Sequence, residues 1–266
     1  MGGRGGGSGI PSGSPVRTYG DARKACFQEI DAAKDLNEIN LALAKYAQYD
    51  IGKSLQNLDL DVLKGMAKAA VTVKYAFAHD DSDPFDIMDT YKGFTKAYNS
   101  TLNHIGGGEH RSNAYASAKL YGGDINVNPA MFKSLASVSA QYQQDVRYGF
   151  HPSGTNWTHI ISHELGHKLV AALDKTTNSP ILSWNNNTTA TSIVREAVKN
   201  LKRSGQYGNT KTDQFVRQVS QYAMKNRHET VAESVADYMA NGNSAKPLSI
   251  AVVTELKQRL RSNGIV

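Results

Sequence analysis

The sequence predicts an α+β chain, mainly helical, with one small β-hairpin. Three observations carry that expectation. Apolar residues recur at helical spacing over most of the length, and one stretch, residues 114–128, switches to a two-residue period. Glycine, asparagine and proline mark the breaks between these segments. With 266 residues, 40% of them apolar and 20% charged, the chain is globular and long enough to bury a sizeable core.

Residues 1–16, rich in glycine and serine, are expected to form a flexible tail, because they cannot bury enough surface to offset their ordering entropy. Residues 17–105 are expected to be an N-terminal helical region. Ala22, Ala25, Cys26, Ile30 and Ala33 form one apolar stripe, and Ile39, Leu43, Ala44 and Tyr46 form a second after a break near Asp35. A stronger helix starts at Asn57-Leu58-Asp59, runs through Leu60, Leu63, Ala67 and Val71, and stops at the acidic Asp80–Pro84 break. A weaker segment follows from Phe85 to Ile105.

Residues 106–266 are expected to form the main domain. Gly106-Gly107-Gly108 closes the helical part. Ala114, Ala116, Ala118 and Leu120 then alternate with Tyr115, Ser117 and Lys119, Gly122-Gly123 marks a turn, and Asp124–Asn128 alternates again. A helix is expected over 129–144 and a loop over 148–156. Helical periodicity then runs through Trp157, Ile160, Ile161, Leu165, Leu169 and Leu173. After a polar loop, helices are expected at 190–203, 211–226, 228–241 and 247–262.

The formal charge of +6 permits an acidic partner, but no basic run or stripe favours nucleic acid. A single cysteine, Cys26, excludes an intramolecular disulfide and points to a reducing compartment. No apolar stretch is long enough to span a bilayer, and the N-terminus lacks the layout of a signal peptide. The expectation is a cytoplasmic or virion-associated protein without a membrane partner.

The chemistry concentrates in His163-Glu164-Leu165-Gly166-His167, an H-E-x-x-H pattern. Histidines four apart lie one turn above each other on a helix, so both imidazoles reach a single ion. Zinc suits such a pair, and Glu164 is then placed to take a proton from water. A catalytic zinc site needs a third protein ligand. Downstream, Glu229, Glu233 and Asp237 stack three carboxylates on one helix face among Val231, Ala232, Val235 and Ala236. Spacing alone leaves Glu229 and Glu233 both open as the ligand. His159, four before His163, and His228, beside Glu229, are expected to pack or be solvated rather than ligate.

Together, His163–His167 and Glu229-x-x-Ala232-Glu233 resemble the gluzincin arrangement of zinc metallopeptidases. The pair is most similar to the anthrax lethal factor catalytic domain and to minor-head-associated metalloprotease-like proteins of phages and prophages. The resemblance covers about residues 110–240 and implies a zincin-like fold with the hairpin beside the motif helix. It implies Zn2+ held by His163, His167 and Glu229, with Glu164 as general base. Glu233 would then orient a ligating histidine from behind. Tyr222, seven before Glu229 as in lethal factor, would assist as a donor to the oxyanion; otherwise it is a buried tyrosine of an amphipathic helix. The implied activity is zinc-dependent hydrolysis of a peptide or protein substrate, with phage head or virion proteins as partners. The alternative is a non-catalytic structural or interaction protein of a phage particle that keeps the zinc-binding scaffold. In the catalytic case, Asp124–Asn128 is the strand expected to receive an extended peptide.

Overall fold

A computed structural model describes residues 19–77, 104–107, 114–118, 125–176 and 187–265. The glycine-rich tail, the acidic Asp80–Pro84 break, most of the Phe85–Ile105 segment and the Gly122-Gly123 turn lie outside these residues.

The architecture is α+β and mostly helical, as expected. The first two stripes become α1 (Tyr19–Ala32) and α2 (Leu36–Tyr46). The break between them is set by Asp35, whose side chain accepts from the Glu38 amide and caps α2. Helix α3 (Leu60–Phe77) buries Val62, Leu63, Met66, Ala70, Val73 and Phe77 along one side. Next along the chain come α4 (Leu135–Arg147), α5 (His159–Thr176), α6 (Thr188–Arg203), α7 (Thr212–Val219), α8 (Arg227–Asn241) and α9 (Pro247–Ser262).

Among the described residues the sheet has four short strands: β1 (Asp50–Ile51), β2 (His104–Gly107), β3 (Ala116–Ala118) and β4 (Ile125–Val127). Their order is β1-β2-β4-β3. β3 and β4 pair antiparallel, with Ala116 opposite Val127 and Ala118 opposite Ile125, which is the expected hairpin pairing. β1, β2 and β4 run parallel, and neither β1 nor β2 was foreseen. Two to four residues are too few to show a period, and the glycines expected to end a helix instead form half of β2.

The sheet also corrects the choice of substrate strand. β4, within Asp124–Asn128, is paired on both sides, and the outer strand on the side of α5 is β3. Its approach is fixed by Asn128, whose amide N–H donates to the Tyr115 carbonyl at 2.8 Å and whose side chain donates to the Ala114 carbonyl at 2.9 Å.

The expected helix over 211–226 is also shorter. α7 stops at Val219, and after Ser220 a single 3-10 turn covers Tyr222–Met224. Asn226 then starts α8, its side chain accepting from the Glu229 amide at 2.9 Å. One continuous apolar core runs from Ala22 to Ile265, so the N-terminal helices and the motif helix share it. α5 and α8 cross at close range, because a Cβ on Gly166 would stand 2.8 Å from the Ala232 Cα. The small residues inside the two motifs, Gly166 and Ala232, therefore set how near the histidines come to the carboxylates.

Candidate metal centre

Helix α5 presents His163 and His167 on one face, and the first turn of α8 presents Glu229 against them. Glu229 Oε2 lies 3.1 Å from His163 Nε2 and 3.2 Å from His167 Nε2. Atoms held about 2.0–2.1 Å from a tetrahedral zinc stand about 3.3–3.4 Å apart, so this spacing fits the ion. All three side chains are buried, and Glu229 Oε2 has no hydrogen-bond partner. A buried carboxylate oxygen between two imidazole nitrogens calls for a cation.

The electrostatics agree. Burial opposes charge on His163, yet the carboxylates of Glu229 and Glu233 raise its pKa well above the ordinary range. Burial likewise works against the Glu229 anion, but His163 and His167 overcome it and hold the carboxyl far below its usual value. The pocket thus holds positive charge between two carboxylates, and a divalent ion meets that demand.

Both imidazoles also have partners on the side away from Glu229. His163 Nδ1 lies 2.8 Å from Glu233 Oε1. The second oxygen of Glu233, Oε2, accepts from the Ser220 hydroxyl at 2.7 Å, which fixes the carboxylate's orientation. His167 Nδ1 hydrogen-bonds His228 Nδ1. His228 is fully buried, and burial pushes its pKa down to about 2, so it stays neutral and can accept. With His167 donating from Nδ1, its Nε2 lone pair is left free on the side of His163 and Glu229, where it could ligate a metal. The sequence had pointed to Glu233 for this role; the equivalent partner for His167 is His228, which had been assigned to packing or solvent. Its position beside Glu229 was the available signal.

Asp237 takes no part. Its carboxylate accepts from the Asn241 side chain at 2.7 Å and the Lys246 amide at 2.9 Å, closing the turn from α8 to α9.

Glu164, Tyr222 and the strand segment Ala114–Ala116 line one cleft of about 580 Å³ with His163. Burial raises the Glu164 carboxyl above its ordinary range, and the Ala118 amide donates to it. Tyr222, on the 3-10 turn, packs 5.7 Å from the His163 ring, centroid to centroid. Burial, then the Glu229 charge, raise its phenol pKa, so the hydroxyl stays protonated and able to donate. Lys225 Nζ donates to that hydroxyl at 3.3 Å.

A second cluster adjoins the first: His151, from the loop before α5, His159 and Glu233. His151 carried no sequence signal, since nothing about a loop histidine tells which helix it will meet. His159 is buried rather than solvated, and burial pushes its pKa down to about 3. Set beside known family models, curated proteins and solved structures, the chain matches none of them.

Proposed function

We propose that the protein is a zinc-dependent metallopeptidase with a gluzincin-like site. The observation that carries this reading is the unpartnered Glu229 Oε2 at 3.1 and 3.2 Å from two imidazole nitrogens, one of them on His163, which lines a cleft together with Glu164. His163, His167 and Glu229 would hold the ion. When bound, zinc polarises a carbonyl and brings the pKa of a coordinated water near neutrality.

This chain's residues supply the rest. Glu164, its carboxyl raised above the ordinary range by burial, accepts a proton from water and returns it to the leaving amine. Tyr222 remains a phenol across the working pH range and donates to the oxygen on which charge develops. Glu233 and His228 hold the tautomers and tilt of the two ligating rings. β3, the outer strand beside α5 among the described residues, offers its main-chain edge ahead of Ala118 to an extended peptide, and Ala114–Ala116 border the cleft.

A purely structural zinc site would not need an acid–base carboxylate facing a cleft, and that favours the enzyme over the scaffold reading. The test is cleavage of a peptide library by zinc-loaded protein with and without chelator. Chelator-sensitive cleavage is expected. A zinc-loaded, folded protein that cleaves nothing in the library would overturn the peptidase reading and leave the scaffold.

A further inference from the structure

We propose that His151, His159 and Glu233 form a second metal site, distinct from the His163–His167–Glu229 triad and independent of the peptidase reading.

The distances favour coordination over hydrogen bonding. Glu233 Oε1 lies 3.4 Å from His151 Nδ1 and 3.4 Å from His159 Nε2. An N–H···O hydrogen bond is commonly 2.7–3.2 Å, so both contacts are too long for one. They match the separation of about 3.3–3.4 Å between two ligands of one tetrahedral ion. Consistently, His151 Nδ1 and His159 Nε2 are both buried without a hydrogen-bond partner, while Glu233 Oε1 also meets His163 Nδ1 at 2.8 Å. Two buried imidazole nitrogens from separate segments, within 4.8 Å of each other and of one carboxylate oxygen and hydrogen-bonded to nothing, are rare in a folded interior.

The rings are also held in place. His151 stacks on Tyr142 with centroids 4.9 Å apart and planes 9° from parallel. Tyr142 is fixed in turn by a 2.8 Å hydrogen bond with Thr155. His159 lies in the first turn of α5, one turn before His163, and its ring centroid is 4.9 Å from that of His151. Glu233 Oε2 is already engaged by Ser220, so Oε1 is left for His163 and the ion, one lone pair each. Two imidazoles and one carboxylate select a borderline transition ion such as zinc over calcium or magnesium. His151 and His159 both border the cleft, which gives the ion a route in.

The role follows from the shared residue. Glu233 Oε1 touches the back of His163, so an ion on it ties the second site to the orientation of the first. It is a positioning ion, because the His163 ring separates it from the reacting atoms.

The test is metal content of the full chain, saturated with zinc and freed of excess by gel filtration. Two ions per chain are expected for the unsubstituted protein. His151→Phe, which keeps the stack on Tyr142, and His159→Phe should each hold one ion, and so should His167→Ala. One ion in the unsubstituted chain, retained by His151→Phe and lost in His167→Ala, would overturn this proposal alone. No ion at all would overturn both this site and the peptidase reading. Should the Phe variants fail to fold, cobalt titration of the unsubstituted chain decides. Two successive absorption steps support the second site, and a single step at one equivalent overturns it.

Discussion

The two histidine–glutamate triads share α5 and α8 but differ in what lies behind their donors. In the first, each imidazole has a partner on its far nitrogen: Glu233 behind His163 and His228 behind His167. In the second, neither His151 nor His159 has a hydrogen-bond partner on either ring nitrogen. Their orientation comes from ring packing instead, chiefly on Tyr142. A far-side acceptor fixes the tautomer and raises ligand basicity, whereas packing fixes only the plane of the ring. The first triad should therefore load before the second in any titration. The proposed chemistry rests on the first triad, whose His163 packs against Tyr222 and shares the cleft with Glu164.

The sharpest way to break this comparison is Glu229→Ala. It removes a ligand belonging to one triad alone, so zinc should leave the first site and cleavage should vanish while the second site still binds. Chelator competition reads both sites, and unchanged affinity at the tighter one would show that another carboxylate holds the ion. Glu164→Gln comes next. The amide is nearly isosteric but takes no proton, so kcat should fall about 10²–10⁴-fold with zinc content intact. Equal cleavage by the two proteins would sink the general-base assignment.

Tyr222→Phe should lower kcat about 10²-fold with little change in KM, as expected for a donor used only when charge develops. A change confined to KM would instead make Tyr222 part of the substrate wall. Smaller again is His228→Phe, which leaves His167 in place but removes its acceptor. First-site zinc affinity should drop about 10–100-fold, and the second site should not respond. An equal loss at both sites would mean the substitution acts through general packing of α8.

The last prediction lies away from both triads and separates their proton dependence from that of the scaffold. Burial pulls Lys74 down to about 7 from its ordinary 10.5, so between those values the unfolded chain binds more protons than the folded one. Stability should thus rise with pH across that window, and Lys74→Met should flatten the rise in chemical denaturation. Loss of metal in acid, by contrast, follows protonation of the imidazoles and should survive that substitution.

Much of this was legible in the sequence because it is local. Helical spacing located α1, α2, α3, α5, α8 and α9, and the two-residue period located the β3–β4 hairpin. The i, i+4 spacing put His163 beside His167, and Glu229 beside Glu233, since one helical turn fixes those neighbours whatever the rest of the chain does. The Asn226 cap that starts α8 also depends only on adjacent residues, but the helix expected over 211–226 ran through it. Tertiary structure decided what spacing could not. Glu229 rather than Glu233 faces both Nε2 atoms, because α5 and α8 cross closely at Gly166 and Ala232 with the first turn of α8 against them. Pairing on both sides of β4 moved the open edge to β3, because strand order depends on which distant segments meet. His151 and His228 entered the site for the same reason. A side chain's partners across 61 residues, as between His167 and His228, are set by how helices pack, and no local pattern encodes that.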